Sequence, residues 1–204
     1  MFSLNGKKNG MSYFLVPLCI SVNFVCGQVT TVLRLPLYLD AIGTMAIGAL
    51  CGPTEALVTA LITSFFMSVS NPANLFYVCN YIAIGLTAVA AARLGVFERF
   101  GRSFLYGIFI GILCGVLGSV VTMLVYGGYA SAPSGIIAGF FVRTFDLILY
   151  GANVISECIY DGVDKIIDAL IVCSLLKSIP KRMLIMLPYG ERYLREWESK
   201  YERR

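Results

Sequence analysis

Ser156–Leu176, reading SECIYDGVDKIIDALIVCSLL, decides how this chain is understood. At about 1.5 Å per residue the stretch is long enough to cross a bilayer. Its first thirteen residues nevertheless hold Glu157, Asp161, Asp164, Lys165 and Asp168. At about 100° per residue these five side chains fall within an arc of about 100°. Ile159, Val163, Ile166, Ile167 and Leu170 form the opposite, apolar face. Ionised groups are costly inside a membrane helix, and they turn toward a cavity, a partner or water. Two readings stay open. Either the face lines a polar pocket whose other walls come from the rest of the chain, or it is a solvated outer turn plus an internal Asp–Lys pair.

Working outward, the 204-residue chain is 58% hydrophobic and only 14% charged, against about 25% charged in an ordinary soluble domain. That composition predicts a polytopic, all-α integral membrane protein. No polar linker divides it, so residues 1–182 are expected to form one transmembrane domain, followed by a tail over 183–204. The net charge of +4 is small and sits in loops. It therefore argues for membrane orientation and against nucleic-acid binding. There is no histidine, and the seven cysteines contain no Cys-x-x-Cys pair. Most of them lie in apolar runs, where cysteine is a small hydrophobe. No metal, disulfide framework or other cofactor is expected. A Gly-rich nucleotide loop is absent, as is any nucleophile with a histidine base. The chain is accordingly read as a non-enzyme.

Helices are expected over 11–33, 39–51, 54–69, 75–92, 103–126 and 156–176. Gly52-Pro53 divides the second from the third. Leu35-Pro36-Leu37-Tyr38 is a turn, and Ser70-Asn71-Pro72-Ala73-Asn74 a loop. Segment 134–155 contains Arg143 and Asp146 and is ambiguous. Counting 39–69 as two spans and 134–155 as none puts Lys7, Lys8, Arg93, Arg99, Arg102, Lys177, Lys181 and Arg182 on one side. The positive-inside rule favours that arrangement. It predicts six spans, both termini cytoplasmic, and a short outer-face helix over 134–155. Tyr193, Trp197 and Tyr201 recur every fourth residue of the tail, which suits an amphipathic cytoplasmic helix. Small residues at four-residue spacing, such as Gly107, Gly111 and Gly115, let helices approach closely. On helix 1 the row Cys19, Asn23 and Gly27 is a candidate partner face.

The stretches LPLYLDAIGTMAIGALCGPTEALVTALITS (35–64), FYVCNYIAIGLTAVAAARLG (76–95), YGG (126–128) and ECIYDGVDKIID (157–168) resemble the substrate-binding S components of energy-coupling factor (ECF) vitamin transporters. The resemblance runs over residues 12–182. It implies six helices, a pocket open to the outside, a bacterial plasma membrane location, and partnership with a membrane coupling subunit and two ABC-type ATPases. It also implies that Cys19, Asn23 and Gly27 take the place of the family's small-residue face toward the coupling subunit.

The expected pocket joins Tyr38 and Asp40 before helix 2, Asn74, Tyr77, Asn80 and Tyr81 around the start of helix 4, and Glu157, Asp161, Asp164 and Lys165 on helix 6. Asparagine supplies a donor and an acceptor, and tyrosine a ring and a hydroxyl. Acids outnumber bases, which favours a neutral or cationic ligand. A thiamine-, pyrimidine- or pyridoxine-like compound fits, with riboflavin and pantothenate still open. Two other functions remain. A stand-alone secondary transporter would use Asp161 and Asp164 for a coupling ion. A ligand-sensing membrane module would signal through the tail.

Overall fold

The computed structural model describes residues 10–35, 37–128 and 133–194. Eight α-helices are ordered along them: α1 (Gly10–Val32), α2 (Ile42–Leu50), α3 (Pro53–Ser70), α4 (Val78–Arg93), α5 (Phe100–Tyr126), α6 (Pro133–Phe145), α7 (Leu149–Ser178) and α8 (Lys181–Ile185). Short 3-10 turns cover Pro72–Tyr77 and Val96–Glu98, and the described residues contain no strand. Gly52 at φ +115° and Pro53 at the first helical position make the α2–α3 break. Only glycine adopts that backbone without strain, and proline is pre-set for a helix start. Asn71 accepts a hydrogen bond from the Ala73 N–H at 3.2 Å and so caps the turn leading into α4.

Side-chain placement explains the packing. On α5 the small and hydroxylated residues Ser103, Gly107, Gly111, Gly115, Gly118 and Thr122 are buried. Phe104, Leu105, Phe109, Ile112, Val116 and Leu124 are exposed. In water this arrangement would be inside out, whereas against lipid it is the expected one, because helix association there rests on close backbone approach. The approach is to α7: a Cβ added at Gly107 would lie 2.5 Å from Ile166 Cα, and one at Gly111 2.5 Å from Gly162 Cα. At the centre lies α2, nearly all of it buried, with α1, α3, α4 and α7 around it.

Four helical segments are long and apolar enough to cross a membrane: Gly10–Val32, Pro53–Ser70, Pro72–Arg93 and Phe100–Tyr126. The other two segments expected to span do not meet that criterion. Nine residues of α2 rise only about 14 Å, half of a hydrocarbon core of about 30 Å. By contrast α7 has thirty residues, but it carries the acidic face.

Three expectations need correction. Segment 134–155 is not one helix. It is broken after Phe145, where Asp146 takes φ +49°, a left-handed conformation that aspartate tolerates better than most residues. The final long helix therefore begins at Leu149 and not near 156. The expected boundary at 182/183 is not a break in packing. Leu184 and Leu187 join the main core, and the Tyr189 N–H donates to the Leu50 carbonyl at 3.0 Å. Trp197 and Tyr201 lie outside the described residues, as does Pro36 of the first turn. Finally, Cys19, Asn23 and Gly27 do not form a partner face, because all three are buried within the chain. Asn23 Nδ2 donates to Thr44 Oγ1 at 2.8 Å and Thr63 Oγ1 at 3.1 Å, and its Oδ1 accepts from the Gly43 N–H at 2.6 Å. Those partners lie on α2 and α3, so this row holds the fold together internally.

Candidate functional site

At the end of the bundle where α1 finishes and α4 begins, the helices enclose a cavity of about 530 Å³. That is the size of a small-molecule site. Its wall is drawn from separate elements. Gln28 and Thr31 come from α1, and Arg34 and Tyr38 from the following loop. Asn74 and Tyr77 belong to the 3-10 turn, Asn80 and Tyr81 to α4, and Gly118 and Tyr126 to α5. The α7 wall is Glu157, Tyr160, Asp161 and Lys165, and Asp40 closes the side next to Lys165.

Of the ten ligand-site residues expected from sequence, all but Asp164 face this space. Asp164 is fully buried behind it. Its Oδ1 accepts from the Tyr38 N–H at 2.8 Å and the Leu39 N–H at 2.9 Å. One carboxylate oxygen thus fixes the α1–α2 loop over the cavity, where Leu39 is held at φ +49°. A leucine rarely adopts that backbone unless its surroundings impose it. The other oxygen of Asp164 pairs with the Lys165 ammonium. Lys165 also reaches Asp168 Oδ2 at 3.4 Å and Asp40 Oδ1 at 3.7 Å. Asp40 Oδ2 accepts the Tyr81 hydroxyl hydrogen bond. One lysine therefore serves three carboxylates and ties α7 to the start of α2 and, through Tyr81, to α4.

Glu157 is satisfied differently. Its Oε1 accepts from Thr122 at 3.2 Å and from Ser134 at 3.1 Å. Thr122 spends its one proton there, so Tyr77 donates to Thr122 Oγ1 across 2.8 Å. Ser134 also draws α6 onto α7, because its carbonyl accepts from the Ser156 hydroxyl. Asp161 differs from all of these. It is 5% exposed, faces the cavity, and neither accepts a side-chain hydrogen bond nor enters an ion pair among the described residues.

Aromatic rings provide the remaining surface. Tyr38 and Tyr160 meet edge to face with centroids 4.8 Å apart, and Tyr77 and Tyr126 also face the space. Tyr160, Tyr126, Gln28 and Arg34 were not among the expected site residues. Tyr160 was accessible by the same helical reasoning, since it borders the acidic arc on α7. Tyr126 was not, because which end of α5 faces inward depends on α7 packing. No cluster of three or more potential metal ligands occurs among the described residues. No family model matches the chain, and no curated protein and no solved structure matches it either.

Proposed function

We propose that the chain is the substrate-capture subunit of an ECF-type importer, which takes a small water-soluble vitamin or precursor from outside the cell and hands it to energised partners. In this reading α1, α2, α3, α4, α5 and α7 form a six-helix transmembrane bundle in a bacterial plasma membrane, with both termini cytoplasmic. The cavity then opens outward, beneath the α1–α2 loop. A membrane coupling subunit and two ABC-type ATPases supply energy, and this chain supplies recognition. A thiamine-, pyrimidine- or pyridoxine-like ligand suits the polar, tyrosine-rich wall.

One observation carries the reading. Residues scattered from Tyr38 to Lys165, chosen from sequence as ligand contacts, surround one cavity of about 530 Å³. A protein whose acidic face was only an internal brace would have no need of such a space beside it. An internal Asp–Lys brace is present as well, in Asp164, Lys165 and Asp168, whereas the outer turn at Glu157 and Asp161 is buried and not solvated.

The test has two arms. Mass spectrometry of the full chain after mild detergent purification should find a bound small molecule. Vesicles containing only this chain should show no concentrative uptake of that molecule, and co-reconstituted coupling and ATPase subunits should confer it. Uptake driven by an ion gradient with this chain alone would favour a secondary transporter instead.

A further inference from the structure

Within the capture reading, on which this step rests, the wall around Gly118 specifies the chemistry of the ligand. A Cβ built on Gly118 would lie 3.3 Å from Asn80 Nδ2, 3.8 Å from Asp161 Oδ2 and 3.9 Å from Tyr77 Cε1. These three side chains thus converge on a point where α5 presents no side chain of its own. Their hydrogen-bonding state is specific. Asn80 Nδ2 donates to the Cys114 carbonyl at 3.2 Å, and Asn80 Oδ1 receives only a long thiol contact from Cys79 at 3.7 Å. Tyr77 gives its proton to Thr122. Among the described residues Asp161 has no hydrogen-bond or ion-pair partner, although Asp40, Glu157, Asp164 and Asp168 each have at least one. The ammonium of Lys165 is taken up by Asp40, Asp164 and Asp168.

At this point of the wall Asp161 offers a carboxylate that no side-chain hydrogen bond or ion pair meets among the described residues. An unpaired carboxylate taken out of water costs several kcal/mol unless a cation or donors replace the lost hydration. Tyr38, Tyr77 and Tyr160 line the same cavity, and an aromatic ring attracts a flat cation that reaches its face. We infer that the ligand is a planar nitrogen cation, of the amidinium or protonated amino-heterocycle type, whose N–H donors bind the Asp161 carboxylate.

Three isosteric probes separate charge from shape: benzamidine (cation), benzamide (neutral) and benzoate (anion). Each is titrated against the full chain in lipid nanodiscs by calorimetry. Benzamidine should bind at least about tenfold more tightly than benzamide, and benzoate not measurably, since a tenfold ratio is about 1.4 kcal/mol. Asp161→Asn should remove that preference and leave benzamide affinity within about twofold. Asp161→Glu should restore part of it, and Gly118→Leu, which fills the space, should abolish all three. Retained folding of Asp161→Asn is checked by its melting temperature, and Asp161→Glu keeps the test alive if that variant is lost. Benzamide or benzoate binding as well as benzamidine overturns the inference, as does a preference surviving Asp161→Asn or no binding by any probe. If benzamide or benzoate binds best and Gly118→Leu abolishes it, the capture reading survives and the cation assignment alone fails. If no probe binds and no small molecule co-purifies, both fail.

Discussion

Asp164 and Asp161 lie one helical turn apart on α7, and the structure assigns them opposite consequences when mutated. Asp164→Ala strands the backbone N–H groups of Tyr38 and Leu39, now held at 2.8 and 2.9 Å. An unsatisfied buried donor costs about 1–3 kcal/mol. Removing one member of a buried ion pair costs about 3–5 kcal/mol where the other member is left alone. Lys165 would not be alone, since Asp168 and Asp40 remain at 3.4 and 3.7 Å. The ionic contribution thus falls at the low end, and these losses overlap. A total of about 3–4 kcal/mol is expected for Asp164→Ala. Asp164→Asn keeps an oxygen for both N–H groups but loses the charge facing Lys165, so about 1–2 kcal/mol is expected. The loop also holds Leu39 at φ +49°, which relaxes once the two hydrogen bonds go. Much of the loss should therefore appear as local opening of the α1–α2 loop. Limited trypsinolysis after the exposed Arg34 reads that opening. A local change of about 3 kcal/mol raises the open population, and the cleavage rate, about a hundredfold. Cleavage after Arg34 in Asp164→Ala at the parental rate, with unchanged unfolding in mixed micelles, would refute the latch. Asp164→Asn as severe as Asp164→Ala would show that charge, not the acceptor geometry, does the holding.

Other expectations follow from the packing. Gly111→Leu should fail to fold or lose most of its yield on gel filtration, because even a Cβ there meets Gly162 Cα at 2.5 Å, and Gly111→Ala should cost about 1–3 kcal/mol in detergent unfolding. Asn23→Leu should destabilise the bundle by about 1–3 kcal/mol, measured the same way, since the Gly43 N–H loses its acceptor in a dry interior. Equal stability of Asn23→Leu and the parent would return this row to the role of an outward contact. Tyr189→Ala should loosen the α2–α3 end without touching ligand affinity, because its ring covers Gly52 far from the cavity, and hydrogen exchange at Leu50–Gly52 checks it.

How far these features were legible in the sequence depends on the interaction behind each. The acidic arc of α7 follows from helical geometry alone, and the structure places Glu157, Asp161 and Lys165 in the cavity wall and Asp164 and Asp168 in the brace beside it. The Gly52-Pro53 break and the Gly107–Gly115 row are local too, since each depends on what a backbone can do without a Cβ. The direction in which a small-residue row faces is not local. Cys19–Asn23–Gly27 reads the same whether its neighbour is another chain or α2, and only the fit of one amide to Thr44, Thr63 and Gly43 decides it. The break after Phe145 was hidden for a related reason, because no glycine or proline marks it. It depends on Asp146 accepting a left-handed backbone, which allows α7 to start seven residues earlier than its charges suggest.

The least legible property is also the one with most chemical content. Sequence treats Asp40, Glu157, Asp161, Asp164 and Asp168 as equivalent carboxylates. Only the fold distributes one lysine, two backbone N–H groups and three hydroxyls among four of them and, among the described residues, leaves the fifth without a partner. A brace and a cavity wall can therefore share one helical face, because the brace takes up the Lys165 ammonium. In the capture reading proposed above, what Asp161 lacks the ligand brings. Exchanging Lys165 for a neutral residue should disturb the brace, because three carboxylates lose the cation they share, and it should also alter the wall, because Lys165 faces the cavity itself.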